Sequence, residues 1–356
     1  MEEIRVGIVG TGGIAAVHAD ALASIPGVRV AAVMSRREAN ANMFAEWKGV
    51  PQSFTDLGKF LAADLDVVSV CYPNSLHCET AIAAARSGRH VIVEKPLAMS
   101  LGEADAMIGA CRDAGKLLFY AEELPFIPKF RRVKELVDEG AIGEVYMVRQ
   151  SEKHGGPGNE WFYQRETAGG GALMDMGCHG IELIRFILGG RDVTGVAAQM
   201  DTFVHTDCAL EDHALVTMRF AGGAIGVSES SWALKGGMES VLEVYGTKGV
   251  IRADLFEGAG VKVFSEEGYG MMADSVKGWS HAIYDIVREH GYIGEMEHFI
   301  GCVRSGETPI EGGAEGRKVL EIMLAAYASA KAGRTIALPF EPANVKAPVD
   351  LWKPPV

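Results

Sequence analysis

The stretch Ile4-Arg5-Val6-Gly7-Ile8-Val9-Gly10-Thr11-Gly12-Gly13-Ile14-Ala15 is a β-branched run that feeds through a glycine turn into the amphipathic helix expected over Ala15–Ser24. The spacing is that of a phosphate-binding turn. Its first glycine makes the tight turn, its second lets a pyrophosphate approach the backbone, and a small third residue, here Ala15, packs helix on strand. The pyrophosphate would sit on free amides at a helix N-terminus, where the dipole favours negative charge. Gly10, Thr11, Gly12, Gly13 and Ile14 are therefore candidate dinucleotide-binding residues, and the run Ile4–Val9 reads as the first strand of a parallel sheet.

The next strand, Val28–Met34, ends at Ser35-Arg36-Arg37, where an NAD enzyme usually places an acid on the adenosine ribose. Two guanidinium groups suit a 2′-phosphate instead, which favours NADP over NAD. The alternative is that both arginines are solvated charges on the first turn of a helix at Glu38–Trp47. Strands and helices then alternate: Asp66–Cys71, Ser75–Ser87, His90–Val93, Leu101–Ala114 and Leu117–Tyr120, an order that implies right-handed crossovers in a parallel sheet. Ligands collect at the carboxyl ends of such strands. Those ends carry Tyr72-Pro73-Asn74 with His77, and Glu94-Lys95-Pro96. Lys95, held between a strand end and a proline, is a candidate active-site residue.

A second glycine run, Gly169-Gly170-Gly171, precedes Ala172-Leu173-Met174-Asp175-Met176-Gly177-Cys178-His179. Three glycines let the backbone pass close to another body, and Leu173, Ile184, Ile187 and Leu188 recur at helical spacing. Asp175 and His179 stand at i and i+4 on one helical face, where the acid can orient the ring and stabilise its protonated form. Such a pair is a competent proton shuttle; the alternative is an Asp meeting the helix dipole and an unrelated packed His.

The loop Lys153–Arg165 mixes aromatics with polar donors. A sugar ring face against Trp161 or Tyr163, with His154 and Arg165 donating to hydroxyls, is a common carbohydrate site; a buried interface loop is the alternative. Short alternating runs follow at Val193–Phe203, Ala214–Phe220, Ala224–Trp232, Ser240–Tyr245 and Gly249–Ala253, as in an antiparallel sheet. One face of that sheet needs a cover, which a second subunit would supply as a homodimer or homotetramer. Helices are expected at Ile127–Glu139, Ile283–Val303 and Gly313–Ala332, and the Pro-rich tail is expected to run extended.

At 356 residues the chain is long enough for two cores. A net charge of −13 disfavours nucleic acid and anionic lipid as partners. Six scattered cysteines show neither a disulfide framework nor a metal-like spacing, so no metal is expected and a reducing cytoplasm fits. No apolar run reaches the roughly 20 residues of a membrane span, and none of the leading residues reads as a signal peptide.

The N-terminal glycine turn, Pro73-Asn74-x-x-His77, Glu94-Lys95-Pro96 and Gly169-Gly170-Gly171-x-x-x-Asp175-x-Gly177-x-His179 together resemble the glucose–fructose oxidoreductase/inositol dehydrogenase family, over residues 1 to about 338. The resemblance implies an α/β protein: an N-terminal Rossmann domain, then an α/β domain built on a large, mostly antiparallel open sheet. We place these at 1–122 and 123–340, with an extended tail at 341–356. It also implies that Lys95, Asp175 and His179 are catalytic on a sugar or polyol hydroxyl, while Asn74, His77 and Glu94 line the nicotinamide–ribose end. Ser35 in place of the commoner Asp, Gly180 and Glu182, and the segment Ala121–Phe126 depart from that pattern. The reading that follows is an NAD(P)-dependent oxidoreductase acting on a secondary hydroxyl of a sugar, polyol or glycoside. Its substrate site would draw on Lys95, His154, Trp161, Arg165, Asp175 and His179. A glycoside 3-oxidase activating aglycone elimination with a tightly held cofactor, and a non-catalytic dinucleotide sensor, are the alternatives.

Overall fold

The computed structural model describes residues 3–256, 261–265, 278–282 and 286–353. The chain divides into two compact units, the first comprising residues through Phe126 together with His290–Lys318, the second Ile127–Glu289 and the chain from Val319 onward.

In the first unit, β1 (Ile4–Val9), β2 (Val28–Met34), β3 (Ser53–Phe54), β4 (Val67–Val70), β5 (His90–Glu94) and β6 (Leu118–Ala121) form one parallel sheet in the order β3-β2-β1-β4-β5-β6. The central strands read as continuous apolar runs because helices cover both faces of a parallel sheet; Val6, Ile8, Val67, Val68, Val91 and Ile92 are wholly buried. The helices include Gly13–Ala23, Glu38–Lys48, His77–Arg86 and Leu101–Asp113, so the first begins two residues earlier than the spacing suggested. The short β3 and the helix Leu57–Leu61 have too few residues to show a period, and sequence reading passed over them.

Helix Tyr292–Ser305 packs on Gly13–Ala23 and buries Met296, Phe299 and Ile300. The Phe299 ring lies 4.7 Å, centroid to centroid, from that of Phe119 on β6. This apolar face is why a segment so late in the chain groups with the first unit, where sequence order alone suggested one boundary at 122. The single helix expected over Ile283–Val303 is interrupted: Ile286–Glu289 and Tyr292–Ser305 are separate, with Gly291 at φ 83°. Its residues 283–285 lie outside the described set.

In the second unit, β7 (Val145–Lys153), β8 (Val193–Asp201), β9 (His213–Phe220), β10 (Ile225–Ser231), β11 (Glu239–Gly246), β12 (Gly249–Asp254) and, later in the chain, Ile336–Ala337 make a seven-stranded sheet. All its pairings are antiparallel except β10 with β7. Alternation decides the two faces: β9 reads buried at Ala214, Val216, Met218 and Phe220 and exposed at every second position between. Helix Cys178–Ile187 lies against β7 and β10. Gly180 permits it, because a Cβ there would strike Gln150 Oε1 and Ser228 Oγ. Across the opposite face runs one row, Thr217, Val227, Arg149, Glu243 and Arg252. On the same face Arg149 bridges Glu229 at 3.3 Å and Glu243 at 3.5 Å, and Lys153 bridges Glu229 at 2.8 Å. A separate pair, Val261–Ser265 with Gly278–Ala282, is antiparallel.

The tail is not wholly extended. Pro348–Leu351 makes a 3₁₀ turn, and Val349 N–H donates to Gly169 O at 2.9 Å. Among the described residues, no helix is long and apolar enough to cross a membrane.

Candidate active site

At the dinucleotide end, Gly10 has φ 119°, and a Cβ there would strike the Cys71 carbonyl; only glycine makes this turn without strain. Gly12 and Gly13 meet open space where a Cβ would stand. Gly12 precedes the helix without a side-chain cap, so its first amides, with those of Thr11, Gly13 and Ile14, suit a pyrophosphate. Ala15 is fully buried against the sheet. Ser35 closes β2, buried, and accepts from Thr11 Oγ1 at 3.3 Å. Arg36 and Arg37 are exposed.

At the ends of β4 and β5 buried side chains tie the two strand ends to each other and to the helix Gly13–Ala23. His77 is fully buried with Nδ1 3.0 Å from Pro96 O and Nε2 2.8 Å from Tyr72 O. Burial, opposed by these carbonyls, holds its pKa below the usual range. His77, expected to line the nicotinamide end, thus staples the Tyr72-Pro73-Asn74 turn to the Lys95–Pro96 turn. Asn74 is buried in that turn, and Tyr72 O–H donates to Met34 Sδ at 2.8 Å.

Glu94 is buried and paired with a residue sequence reading missed: His18 Nε2 lies 2.8 Å from Glu94 Oε1, and His18 Nδ1 lies 2.8 Å from Ser69 Oγ. Burial opposes charge on both. Against it, Cys71 and Glu94 hold the His18 pKa well above its usual range, and His18 and Lys95 hold Glu94 below its own. Glu94 Oε2 also accepts the Lys95 backbone N–H at 3.1 Å, which fixes the half-buried Lys95 at the strand end. Beyond β6, burial pushes the Glu122 carboxyl up to about 8 in spite of Lys95.

In the second unit Asp175 lies on a π-turn, Leu173–Gly177, that runs directly into helix Cys178–Ile187, so the Asp175–His179 motif does not begin as the regular α-helix its spacing suggested. Both Asp175 and His179 are buried. The Asp175 carboxylate accepts Trp232 Nε1–H at 2.9 Å, and His154 Nε2 lies 3.5 Å from the same oxygen. Gly156 N–H donates to His154 Nδ1 at 2.9 Å, which leaves the ring proton on Nε2, facing Asp175. His154, expected to donate to a substrate hydroxyl, faces the acid instead. Trp232, wholly buried with Ala172 and Met176 and ringed by Phe162 and Tyr163, carried no sequence signal beyond ending the alternating run Ala224–Trp232.

The aromatic loop is partly exposed. Trp161 stacks on Phe162 with centroids 3.8 Å apart, and Tyr163 O–H donates to Pro157 O at 3.0 Å. Arg165, the other expected hydroxyl donor, turns its Nε to Asp350 Oδ1 at 2.6 Å and also pairs with that carboxylate through Nη2. Its guanidinium fastens the tail's 3₁₀ turn.

The body that the triple glycine approaches is now visible. A Cβ on Gly170 would strike the Tyr327 hydroxyl, and one on Gly171 would strike the Glu211 carbonyl oxygen.

A family profile described as "Oxidoreductase family, NAD-binding Rossmann fold" matches residues 4–122, and one described as "GFO/IDH/MocA C-terminal domain" matches 130–252. The chain belongs to the GFO/IDH/MocA family. Relatives in this oxidoreductase family include myo-inositol 2-dehydrogenase of Thermotoga maritima, 30% identical over 94% of this chain and 98% of the relative. D-glucoside 3-dehydrogenase of Escherichia coli is 29% identical over 94% and 97%. Among solved structures, GenD2 from gentamicin A biosynthesis, in complex with NAD, superposes with a TM-score of 0.90 at 34% identity, covering 96% of this chain and 97% of that one. The fold expected from the sequence, a Rossmann sheet followed by a mixed, mostly antiparallel one, is the fold observed.

Proposed function

We propose that the protein is an NAD(P)-dependent oxidoreductase that interconverts a secondary hydroxyl of a sugar, polyol or glycoside and its ketone. The observation that carries this reading is the Asp175 carboxylate, buried on a π-turn one helical turn before His179 and held by Trp232 Nε1 at 2.9 Å. A carboxylate so fixed by the side chain that follows β10 is placed to orient a proton-transfer partner rather than to cap a helix. The substrate class rests on the relatives, whose names specify inositol and a D-glucoside.

In the oxidising direction His179 takes the hydroxyl proton as general base, Asp175 stabilises the imidazolium, and the Lys95 ammonium stabilises the alkoxide as it develops. The Gly10–Ile14 turn, Ser35 and the Tyr72–Asn74 and Glu94–Lys95 strand ends would hold the dinucleotide, whose nicotinamide supplies the two-electron acceptor. Trp161 fits a sugar-facing loop, and His154 supports the Asp175 carboxylate from that loop. The exposed guanidinium groups of Arg36 and Arg37 enter no hydrogen bond or ion pair among the described residues, and the sequence has Ser35 rather than an acid at the ribose position, which supports NADP over NAD. The charged and apolar open face of the second unit's sheet supports a homodimer or homotetramer, and the free cysteines fit a cytoplasmic protein.

His179→Ala tests the assignment. General-base catalysis contributes about 10²–10⁴-fold, so kcat should fall at least a hundredfold while dinucleotide affinity stays within a few-fold. Undiminished turnover on every inositol and glucoside that the wild type oxidises would refute it.

A further inference from the structure

Three consecutive amides at the start of the Asp175 turn end on one residue 40 positions away. Gly171 N–H donates to Glu211 Oε1 at 2.9 Å, Ala172 N–H to the Glu211 main-chain oxygen at 2.9 Å, and Leu173 N–H to Glu211 Oε1 at 3.1 Å. These amides have no acceptor within their own turn, and Ala172, at the cap position, offers no side chain for them. Glu211 therefore does from a distance what a Ser or Asp normally does locally. Its carboxyl is gripped in turn by Tyr327 O–H at 2.7 Å, from the long helix Gly313–Ala332. Glu211 is wholly inaccessible, and its Oε2 has no partner among the described residues. Gly170 and Gly171 complete the arrangement, since a side chain at either would collide with Tyr327 or Glu211.

We propose that Glu211 is a positioning residue: with Tyr327 it clamps the Gly171–Leu173 amides and so sets where the turn presents Asp175 and His179 to the substrate hydroxyl. This rests on the reading of Asp175 and His179 as the reacting pair. Burial pushes the Glu211 carboxyl up to about 7 against the hydrogen bonds it accepts, and burial and Glu211 together keep Tyr327 protonated as the donor. The other titratable groups around it are Cys208 and Asp212, flanking it in the chain, and Asp175 on the turn. Asp212 is held ionised by the amides of Phe203, Val204 and His205. Below its folded pKa Glu211 is a neutral acid whose Oε1 still accepts. The stability this proton gives is complete below the ordinary carboxyl pKa of 4.5 and lost as pH rises through about 7.

The test compares Glu211→Gln, which keeps the acceptor and removes the titration, with the near-isosteric Glu211→Leu, which removes both. Hydrogen exchange of the segment 169–177 reads the clamp independently of turnover. Protection should be retained in Glu211→Gln and fall roughly tenfold or more in Glu211→Leu. Because displacement of a reacting group by about 1 Å can cost about a hundredfold, Glu211→Leu should lose kcat on that scale with dinucleotide affinity unchanged, whereas Glu211→Gln stays within about threefold. The fall in melting temperature between pH 5 and 8 should shrink in Glu211→Gln. If Glu211→Leu does not fold, Tyr327→Phe replaces it, with exchange at 169–177 raised and kcat lowered several-fold. Unchanged exchange in Glu211→Leu or Tyr327→Phe overturns the proposal, as does a loss in Glu211→Gln equal to that in Glu211→Leu. Raised exchange with intact turnover in both Glu211→Leu and Asp175→Asn would instead overturn the assignment of the reacting pair.

Discussion

Replacing Trp232 with Phe removes one hydrogen-bond donor from one carboxylate and keeps an aromatic ring in the same cluster. The indole N–H meets Asp175 Oδ2 at 2.9 Å with both side chains buried. A hydrogen bond to a charged group is worth about 1.5–3 kcal/mol. Expressed in the transition state, that is roughly a tenfold to hundredfold loss of kcat, with dinucleotide binding within a few-fold because those residues lie in the other unit. The lost packing of the indole against Ala172, Met176 and Tyr163 is a competing cause, and a double-mutant cycle separates the two. In an Asp175→Asn background the acid no longer carries the charge that the indole stabilises, so adding Trp232→Phe should cost less than about threefold. Steady-state kinetics on the four proteins provide the readout. A Trp232→Phe loss that persists in full in the Asp175→Asn background would show that Trp232 acts through packing.

Two further outcomes concern the proposals on cofactor and assembly. Arg36→Ala should weaken NADP about tenfold or more, the scale of one charge-assisted contact, and leave NAD nearly untouched, while Ser35→Asp should move preference toward NAD. Equal or tighter NAD binding by the unmodified protein, measured by fluorescence titration, would refute the NADP preference. Arg149→Glu, which reverses the cation between Glu229 and Glu243 on the open sheet face, should shift the light-scattering mass toward the 38.1 kDa chain; a wild type already at that mass would refute the dimer.

Much of the architecture follows from local pattern. The helix–strand alternation of residues 4–121 and the period-two runs from Val193 onward are repeated burial decisions made within a few residues of each other, and the observed elements match them closely. Strand ends and glycine turns single out Lys95, Asp175 and His179 in the sequence, and the structure finds Asp175 and His179 buried and Lys95 at the end of its strand. What was not legible depends on pairs distant in sequence. His18 meets Glu94, Trp232 meets Asp175, and Glu211 meets Gly171 only after the sheets have formed. His154 and Arg165 were located as polar loop residues, but a sequence cannot show that their partners are Asp175 and Asp350. The triple glycine is the instructive case: its close approach was readable, the Tyr327 hydroxyl and Glu211 carbonyl it approaches were not.

The 3₁₀ turn of the tail bears on how this protein can be handled and redesigned. Val349 caps Gly169 and Asp350 anchors Arg165, so the last described residues stitch down the loop that leads into the Asp175 turn. Trimming the chain back to residue 346, or fusing a bulky partner there, is accordingly an edit to the loop that carries Asp175 into place.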